Sequence, residues 1–265
     1  MLLSTFSARS VAAEEVRSDF PPVLIYHDIK ARVAMEGFDV SLAEFRYQLD
    51  WLKAHKFKTL STEEFLGYIE RREPFPKKSV LITFDDAYGG VARYAAPELE
   101  ARGMKAVFFV IVDSVGKGLS KDYHHASAEE LRAMASTGLF SMESHTLSHP
   151  HLDQLSSDDL KRELGESKAR IEELIGRPVK MIAYPFGDYN QEVIDGVSDA
   201  GYGAAFIVDI LDAGAFDRSK RYSIPRINMG VVVGDYGHRM WKKFMRHYAP
   251  MSDEDFEERW ARLPH

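Results

Sequence analysis

Three short segments of this chain gather side chains suited to hydrolytic chemistry. Thr83-Phe84-Asp85-Asp86 sets two carboxylates side by side, Glu143-Ser-His-Thr-Leu-Ser-His149 spaces two imidazoles four residues apart, and His27-Asp28 closes a short apolar run. On a helical turn, i,i+4 spacing puts His145 and His149 on one side, within reach of one ion. Two imidazoles and one carboxylate leave an open position on a zinc-like ion, and a second carboxylate is then available to take a proton. Adjacent side chains on an extended segment point different ways, so Asp85 and Asp86 need not share one role. Each signal alone has a plainer reading. Two of ten histidines fall at this spacing by chance readily enough, and adjacent acids after a strand serve as helix caps and turn formers. Their combination is sharper than either part. His151 follows Pro150, which redirects the chain, and reads as a surface imidazole.

The elements that must position these residues alternate. Val23-Leu24-Ile25-Tyr26 reads as a buried strand with His27 at its end, and Ser79 to Phe84 as a second with Asp85-Asp86 at its end. Ser41 with Glu44 is a capping-box signature opening a helix to about residue 55, and Thr62 starts another. A helix is expected from Tyr88 to Arg102. Strands over Ala106–Val112, Phe140–Ser144, Lys180–Tyr184, Tyr202–Val208 and Ile224–Asn228 then alternate with helices over Ala128–Ser136, Ser157–Ile175 and Asn190–Ala200, and a last helix over Tyr236–His247. Such alternation predicts a parallel sheet, and seven or eight units suit a closed or distorted barrel, with a doubly wound open sheet as the alternative. In either, chemistry gathers at the C-terminal ends of strands, where His27-Asp28, Asp85-Asp86, the 143–149 segment and Tyr184-Pro-Phe-Gly-Asp188 all fall.

Composition narrows the options. The 265 residues, 45% hydrophobic, suffice for one large core. With 34 basic against 41 acidic residues and a formal charge of −7, no footprint favours nucleic acid. The absence of cysteine removes thiolate chemistry and leaves His, Asp and Glu as metal ligands. No run approaches the roughly 20 apolar residues of a membrane span. Residues 1–20, with a small-residue stretch at Val11-Ala12-Ala13, read as a tail or signal-peptide remnant, 21–250 as one domain, and 251–265 as an acidic tail.

In their order, Thr83-Phe84-Asp85-Asp86, His145-Thr-Leu-Ser-His149-Pro150 and Tyr184-Pro-Phe-Gly187 resemble the motifs of the polysaccharide deacetylase family, the NodB-like carbohydrate esterases. The resemblance implies an α/β fold, a distorted (β/α)7-8 barrel of NodB-homology type. It implies a metal triad of Asp86, His145 and His149 for one divalent ion, zinc first, with nickel, cobalt or iron as alternatives. Asp85 would be the general base for the attacking water. Tyr184, Pro185, Phe186 and Gly187 would form the groove wall, with the Phe186 amide facing the oxyanion. Two departures stand out. Many members carry, two residues before the proline, an Arg that holds the base, and here that position is Ala183. Many also carry a late histidine acid in a Leu-x-His context, which His238 and His247 lack.

Both departures, with the opening Val-Leu-Ile-Tyr-His-Asp and the late Ser-Ile-Pro-Arg-Ile-Asn, resemble the biofilm poly-β-1,6-N-acetylglucosamine deacetylases, in which the motif order is permuted. On that resemblance His27 would be the general acid and Arg226 would orient Asp85. The plainer readings are a core histidine satisfied by Asp28 and a structural ion pair. Asp209 and Asp212 are partners of a ligand histidine or merely loop acids. The implied activity is N-deacetylation of an N-acetylglucosamine polysaccharide outside the cytoplasm, poly-β-1,6-linked first, chitin or peptidoglycan next. Hydrolysis of another small amide and an inactive glycan-binding module are the alternatives. Tyr26, Tyr88, Tyr123, Phe186 and Tyr189 are the aromatics placed to meet sugar rings. No protein partner is implied.

Overall fold

A computed structural model describes residues 20–32, 39–118, 123–208 and 218–230, with 239, 241–245, 252, 254, 257 and 258. Residues 1–19 of the expected N-terminal tail, Asp209, Asp212, His238, His247 and most of the acidic C-terminal segment lie outside the described residues, whereas Phe20 packs edge-on against Phe65 and Phe75.

The chain alternates as the hydrophobic pattern predicts. In order come β1 (Val23–Tyr26), β2 (Ile29–Lys30), β3 (Val40–Ser41), α1 (Leu42–Ala54), β4 (Lys58–Thr59), α2 (Thr62–Glu70), β5 (Ser79–Phe84), α3 (Ala96–Glu100), β6 (Ala106–Val110), α4 (Ala128–Ser136), β7 (Phe140–Ser144), α5 (Ser157–Ile175), β8 (Met181–Ala183), α6 (Gln191–Asp199), β9 (Ala204–Phe206) and β10 (Ile227–Asn228). Ser41, Ser61 and Ser127 each cap a helix reciprocally with the glutamate three residues on, which satisfies two otherwise orphaned amides per helix. The helix expected from Tyr88 begins at Gly89, and a wide turn over Val91–Ala95 precedes α3. The two-residue strands β2, β3 and β4 have no counterpart in the sequence reading, because they are too short to set up a period.

The main sheet is parallel, in the order β10-β1-β5-β6-β7-β8-β9, with β4 on β5. It curls until its two ends meet through one segment. Ile224 bridges Phe206 of β9, its carbonyl accepting from Ile207 N at 2.9 Å, and three residues later Ile227 pairs with Leu24 of β1. The ring is thus a distorted (β/α) barrel rather than an open doubly wound sheet.

Alternation along each strand sorts residues between two cores. Tyr26, Ile82, Phe84, Phe108, Phe140 and Met142 face the helical shell, whereas Val23, Leu81, Val107, Phe109, Met181, Ala204 and Phe206 fill the barrel. Helix α2 closes the base by sending Phe65, Leu66 and Ile69 into that inner cluster. Val-, Ile- and Phe-rich runs buried on both faces are what a parallel sheet covered by helices requires. With this cluster filling the interior below, Asp85, Asp86, His27 and the 145–149 loop follow the strands at the mouth.

Candidate active site

At the mouth, β1 pairs with β5 so that Tyr26 lies opposite Phe84, and the Asp85 amide donates to the Tyr26 carbonyl at 2.9 Å. His27 and Asp85 therefore leave neighbouring strands at the same level. Asp85 is 2% exposed and continues the inward row of Leu81 and Thr83. The Arg226 guanidinium, fully buried, meets it side-on, Nη1 donating to Oδ1 at 2.6 Å and Nη2 to Oδ2 at 2.7 Å. Arg226 Nε donates to the Ile207 carbonyl at 3.1 Å, and the rings of Phe109 and Phe206 lie 5.4 and 5.9 Å from the guanidinium carbon. A planar cation between aromatic faces, forked onto a carboxylate, has little freedom left. Arg226 arrives from the segment that closes the ring, while Ala183 lines the barrel interior.

Asp86 turns away from Asp85 because its backbone is left-handed, at φ 64°. Its Oδ1 lies 3.4 Å from His145 Nε2 and 3.7 Å from His149 Nε2, and His145 Nε2 lies 3.8 Å from Asp85 Oδ2. Ligand atoms of Asp86, His145 and His149 all fall within 4.8 Å of one another. His145 Nδ1 donates to the Ala183 carbonyl at 2.8 Å, which fixes the tautomer and turns the Nε2 lone pair toward Asp86. Asp86 Oδ1 is buried without a hydrogen-bond partner among the described residues. A buried carboxylate oxygen facing two imidazole lone pairs is unfavourable unless a cation lies between them, so this donor set fits a divalent ion. The Tyr88 hydroxyl bonds to the Asp86 carboxylate, and His125 Nδ1 donates to the Asp86 carbonyl at 2.8 Å.

The two imidazoles do meet, their ring centroids 4.8 Å apart, but not on a helical turn. The 145–149 segment is a loop with Thr146 at φ 68° and His149 at φ 64°. Among the described residues eight non-glycines have left-handed backbone, and Asp86, Ala87, Thr146, His149 and Phe186 are five of them. Each such residue costs roughly 1–2 kcal/mol, and their concentration at one mouth marks a site held in shape by its surroundings.

Electrostatics divide the site. Burial pushes the Asp85 carboxyl upward, but the charges of Arg226 and then His145 outweigh it and hold the group below the ordinary carboxylate range. Burial lowers the His27 imidazole, partly offset by Asp85 and Asp86. Burial and the neighbouring His145 lower His149 against the pull of Asp86 and Asp85, so this imidazole is neutral and able to coordinate. Asp28, next to His27 in the chain, has contacts of its own. Its carboxylate, 1% exposed, takes the Ile29 amide at 2.9 Å and pairs with Lys30 at 2.6 Å.

The loop after β8 divides as well. Tyr184 is no groove surface: it is fully buried, and its hydroxyl donates to the Tyr222 carbonyl at 2.9 Å. Pro185 is buried too, whereas Phe186 is 55% exposed, its ring edge-on to His149 at 4.7 Å and stacked on His151 at 4.1 Å. Gly187 sits at φ 80° with Val208 N 3.0 Å from where a Cβ would be, so no other residue fits this turn without strain. His151 stays outside the triad, exposed and paired with Asp188 at 2.7 Å. Of the other aromatics, Tyr26 is buried with its hydroxyl on Gln48, and Tyr189 is exposed beside Tyr184.

Some contributors escaped the sequence reading. The Ala183 carbonyl has no signature, since any residue supplies one. Glu163 of α5, whose carboxylate reaches the 145–149 loop, did leave a trace: a charged residue on the apolar stripe of Leu160, Leu164 and Ile171.

Comparison with known proteins points to one family. The polysaccharide deacetylase family profile matches residues 72–205, from before β5 into β9. The Bacillus subtilis (strain 168) protein YxkH, named for the same family, is 33% identical over 181 residues, 68% of this chain and 62% of its own. The poly-β-1,6-N-acetyl-D-glucosamine N-deacetylase of Staphylococcus aureus (strain MRSA252) is 29% identical over 218 residues, covering 79% of this chain and 74% of that one. This chain thus spans under two thirds of the Bacillus relative's length. Among solved structures, the Streptococcus pyogenes deacetylase PplD in complex with acetate superposes with a TM-score of 0.73 at 24% identity, covering 84% of this chain and 96% of that one, and shares its fold.

Proposed function

The chain belongs to the polysaccharide deacetylase family, and from that premise we propose that it removes N-acetyl groups from an N-acetylglucosamine polysaccharide, poly-β-1,6-linked first, releasing acetate and a free amine. The observation that carries this reading is the division of labour between two adjacent carboxylates: Asp86 turned toward His145 and His149, Asp85 held by the fork of Arg226. The first three would hold one divalent ion, zinc foremost. Such an ion, when bound, lowers the pKa of water and polarises the acetamide carbonyl.

The remaining steps fall to the chain's own residues. Asp85 stays ionised beside Arg226 and accepts the proton of the attacking water, with Arg226 fixing the direction of its lone pairs. The Phe186 amide is the oxyanion donor: the next two amides of its turn, Gly187 and Asp188, are already taken by the Tyr184 and Pro185 carbonyls at 3.0 and 3.2 Å. His27 is neutral in the resting site and serves as the acid for the departing amine once it has taken up a proton. The exposed Phe186 ring, with Tyr189 beyond it, offers an apolar face for a sugar ring next to the metal ligands.

The named activity of the staphylococcal relative supports the β-1,6-linked polymer as first choice. Such polymers lie outside the cytoplasm, so residues 21–250 are read as an extracytoplasmic deacetylase domain. No helix among the described residues is long and apolar enough to cross a membrane. The test is release of acetate and free amine from β-1,6-linked N-acetylglucosamine oligomers, chitin oligomers and peptidoglycan by zinc-loaded protein, with and without EDTA. EDTA-sensitive acetate release, fastest on the β-1,6 oligomer, is expected. Faster turnover of another glycan would move the substrate, and no acetate from any of them would overturn the reading.

A further inference from the structure

Four consecutive amides run through the loop that carries His149, and each is taken by a side chain. Thr146 N donates to Ser144 Oγ at 3.1 Å, Leu147 N and Ser148 N both donate to Glu163 Oε2 at 2.9 Å, and His149 N donates to Thr146 Oγ1 at 2.9 Å. Ser148 Oγ adds a donation to Glu163 Oε1 at 2.6 Å. Opposite, the Thr146 and Leu147 carbonyls accept from Val112 N at 3.3 Å and Asp113 N at 2.9 Å. Two of the three accepting side chains, Ser144 and Thr146, are local. Glu163 is not: it comes from α5, fourteen residues beyond His149, and is 3% exposed.

Successive amides turned to one side by a left-handed residue, here Thr146, form a concavity that holds an anion. In this fold the anion is the Glu163 carboxylate. Helix α5 is 19 residues long and buries Leu160, Leu164, Ser167 and Ile171 along its length, so the carboxylate is a rigid point, held by the helix as a whole and not by any one of these side chains, to which the loop is tied. We propose that Glu163 is a positioning residue for the metal site: by binding the Leu147 and Ser148 amides it sets the left-handed turn at His149 and so the separation of the His145 and His149 donor atoms. It touches neither substrate nor ion. The proposal rests on reading Asp86, His145 and His149 as the ligands.

The chemistry of the clamp specifies its variants. Glu163→Ala leaves two amides and a hydroxyl facing a void. Glu163→Gln can keep both amides on its oxygen and donate its NH2 to Ser148 Oγ, so it restores the geometry without the charge. Ser148→Ala removes one bond of three. Leu164→Ala, on the same helix, weakens packing without touching the loop.

The experiment is competition for Zn2+ between each purified variant and a chromophoric chelator, with folding followed by circular dichroism. Glu163→Ala is expected to weaken Zn2+ binding by roughly 10–100-fold, the range for groups that orient metal ligands. Glu163→Gln recovers most of that loss, Ser148→Ala shows a smaller one, and Leu164→Ala binds as the wild type does. Should Glu163→Ala not fold, Ser148→Ala carries the test. Wild-type affinity in Glu163→Ala or, failing that variant, in Ser148→Ala would overturn the clamp, as would an equal loss in Leu164→Ala. Failure of the wild-type chain itself to bind Zn2+ would overturn the metal reading and the clamp with it, whereas Zn2+ binding without deacetylation would leave the clamp standing and remove only the proposed activity.

Discussion

Both ends of the barrel bury carboxylates, and they do so in opposite ways. Toward the base, Glu143 accepts from Thr62 Oγ1 at 2.8 Å and from Lys180 N and Met181 N at 2.7 Å. It thereby stitches β7 to β8, where the paired register is limited to Ser144 with Ile182. Its donors are all neutral, and burial outweighs them, pushing its carboxyl up to about 7. At the mouth, Asp85 has a guanidinium and sits below the ordinary range, while Asp86 keeps a buried oxygen aimed at two imidazoles. The difference teaches that burial of an acid does not mark a site. What marks it is the charge of its partner and the lone pairs left over.

The largest blow to this contrast is Arg226→Ala. It leaves Asp85 buried without its cation, for which a loss of about 3–5 kcal/mol is expected in urea unfolding, with loss of acetate release. The double change Asp85→Asn with Arg226→Met should recover much of that stability and none of the activity. Recovery of activity would place the pair in the structure alone.

Isosteric amides compare the two ends directly. Asp85→Asn is expected to lower kcat by about 10²–10⁴-fold in a folded protein, because the amide cannot take the proton. Glu143→Gln should leave kcat unchanged, since its oxygen can hold both amides and its NH2 can donate to Thr62. Equal losses in the two would erase the distinction between mouth and base.

Smaller effects sharpen it. Phe186→Ala should raise KM for oligomers by about three- to tenfold, a loss near 1 kcal/mol of ring contact, with kcat and unfolding midpoint retained. Glu64 at the base tests the pH dependence of a satisfied carboxylate. Partial burial raises its carboxyl, but the Ser61 amide and the Lys58 and Lys105 side chains overcome this and bring it down to about 2. A depressed group stabilises the fold above its unfolded value and loses that contribution as the pH falls toward its folded one. The stability gap between wild type and Glu64→Gln should therefore be present at pH 7 and shrink between about pH 4.5 and pH 2, modestly, because the group is largely solvated. A gap that widens on acidification would contradict the assignment.

The barrel was legible because its strands are unbroken apolar runs that stop at polar residues, and those stops are the site. The pairing of His145 with His149 was legible and its backbone was not. A helical period and a loop with left-handed turns at Thr146 and His149 bring the rings to the same place, and nothing in the residue types announces the turns. Arg226 lies 141 residues from Asp85, so no local pattern links them and only family likeness named it. Tyr184 was misplaced because its ring packs inward, while the backbone that reaches the surface is the left-handed turn at Phe186 and Gly187. Glu163 was visible as a charge on an apolar stripe, but its target lay in a loop whose shape the sequence did not declare.

The central claim is that neighbouring Asp85 and Asp86 do different work. Its most direct test measures bound zinc per chain and acetate released from a β-1,6-linked oligomer, side by side, for wild type, Asp85→Asn and Asp86→Ala. One ion in the wild type and in Asp85→Asn, its loss in Asp86→Ala, and acetate from the wild type alone is the predicted result. Loss of the ion from Asp85→Asn, or wild-type zinc affinity in Asp86→Ala, would contradict it.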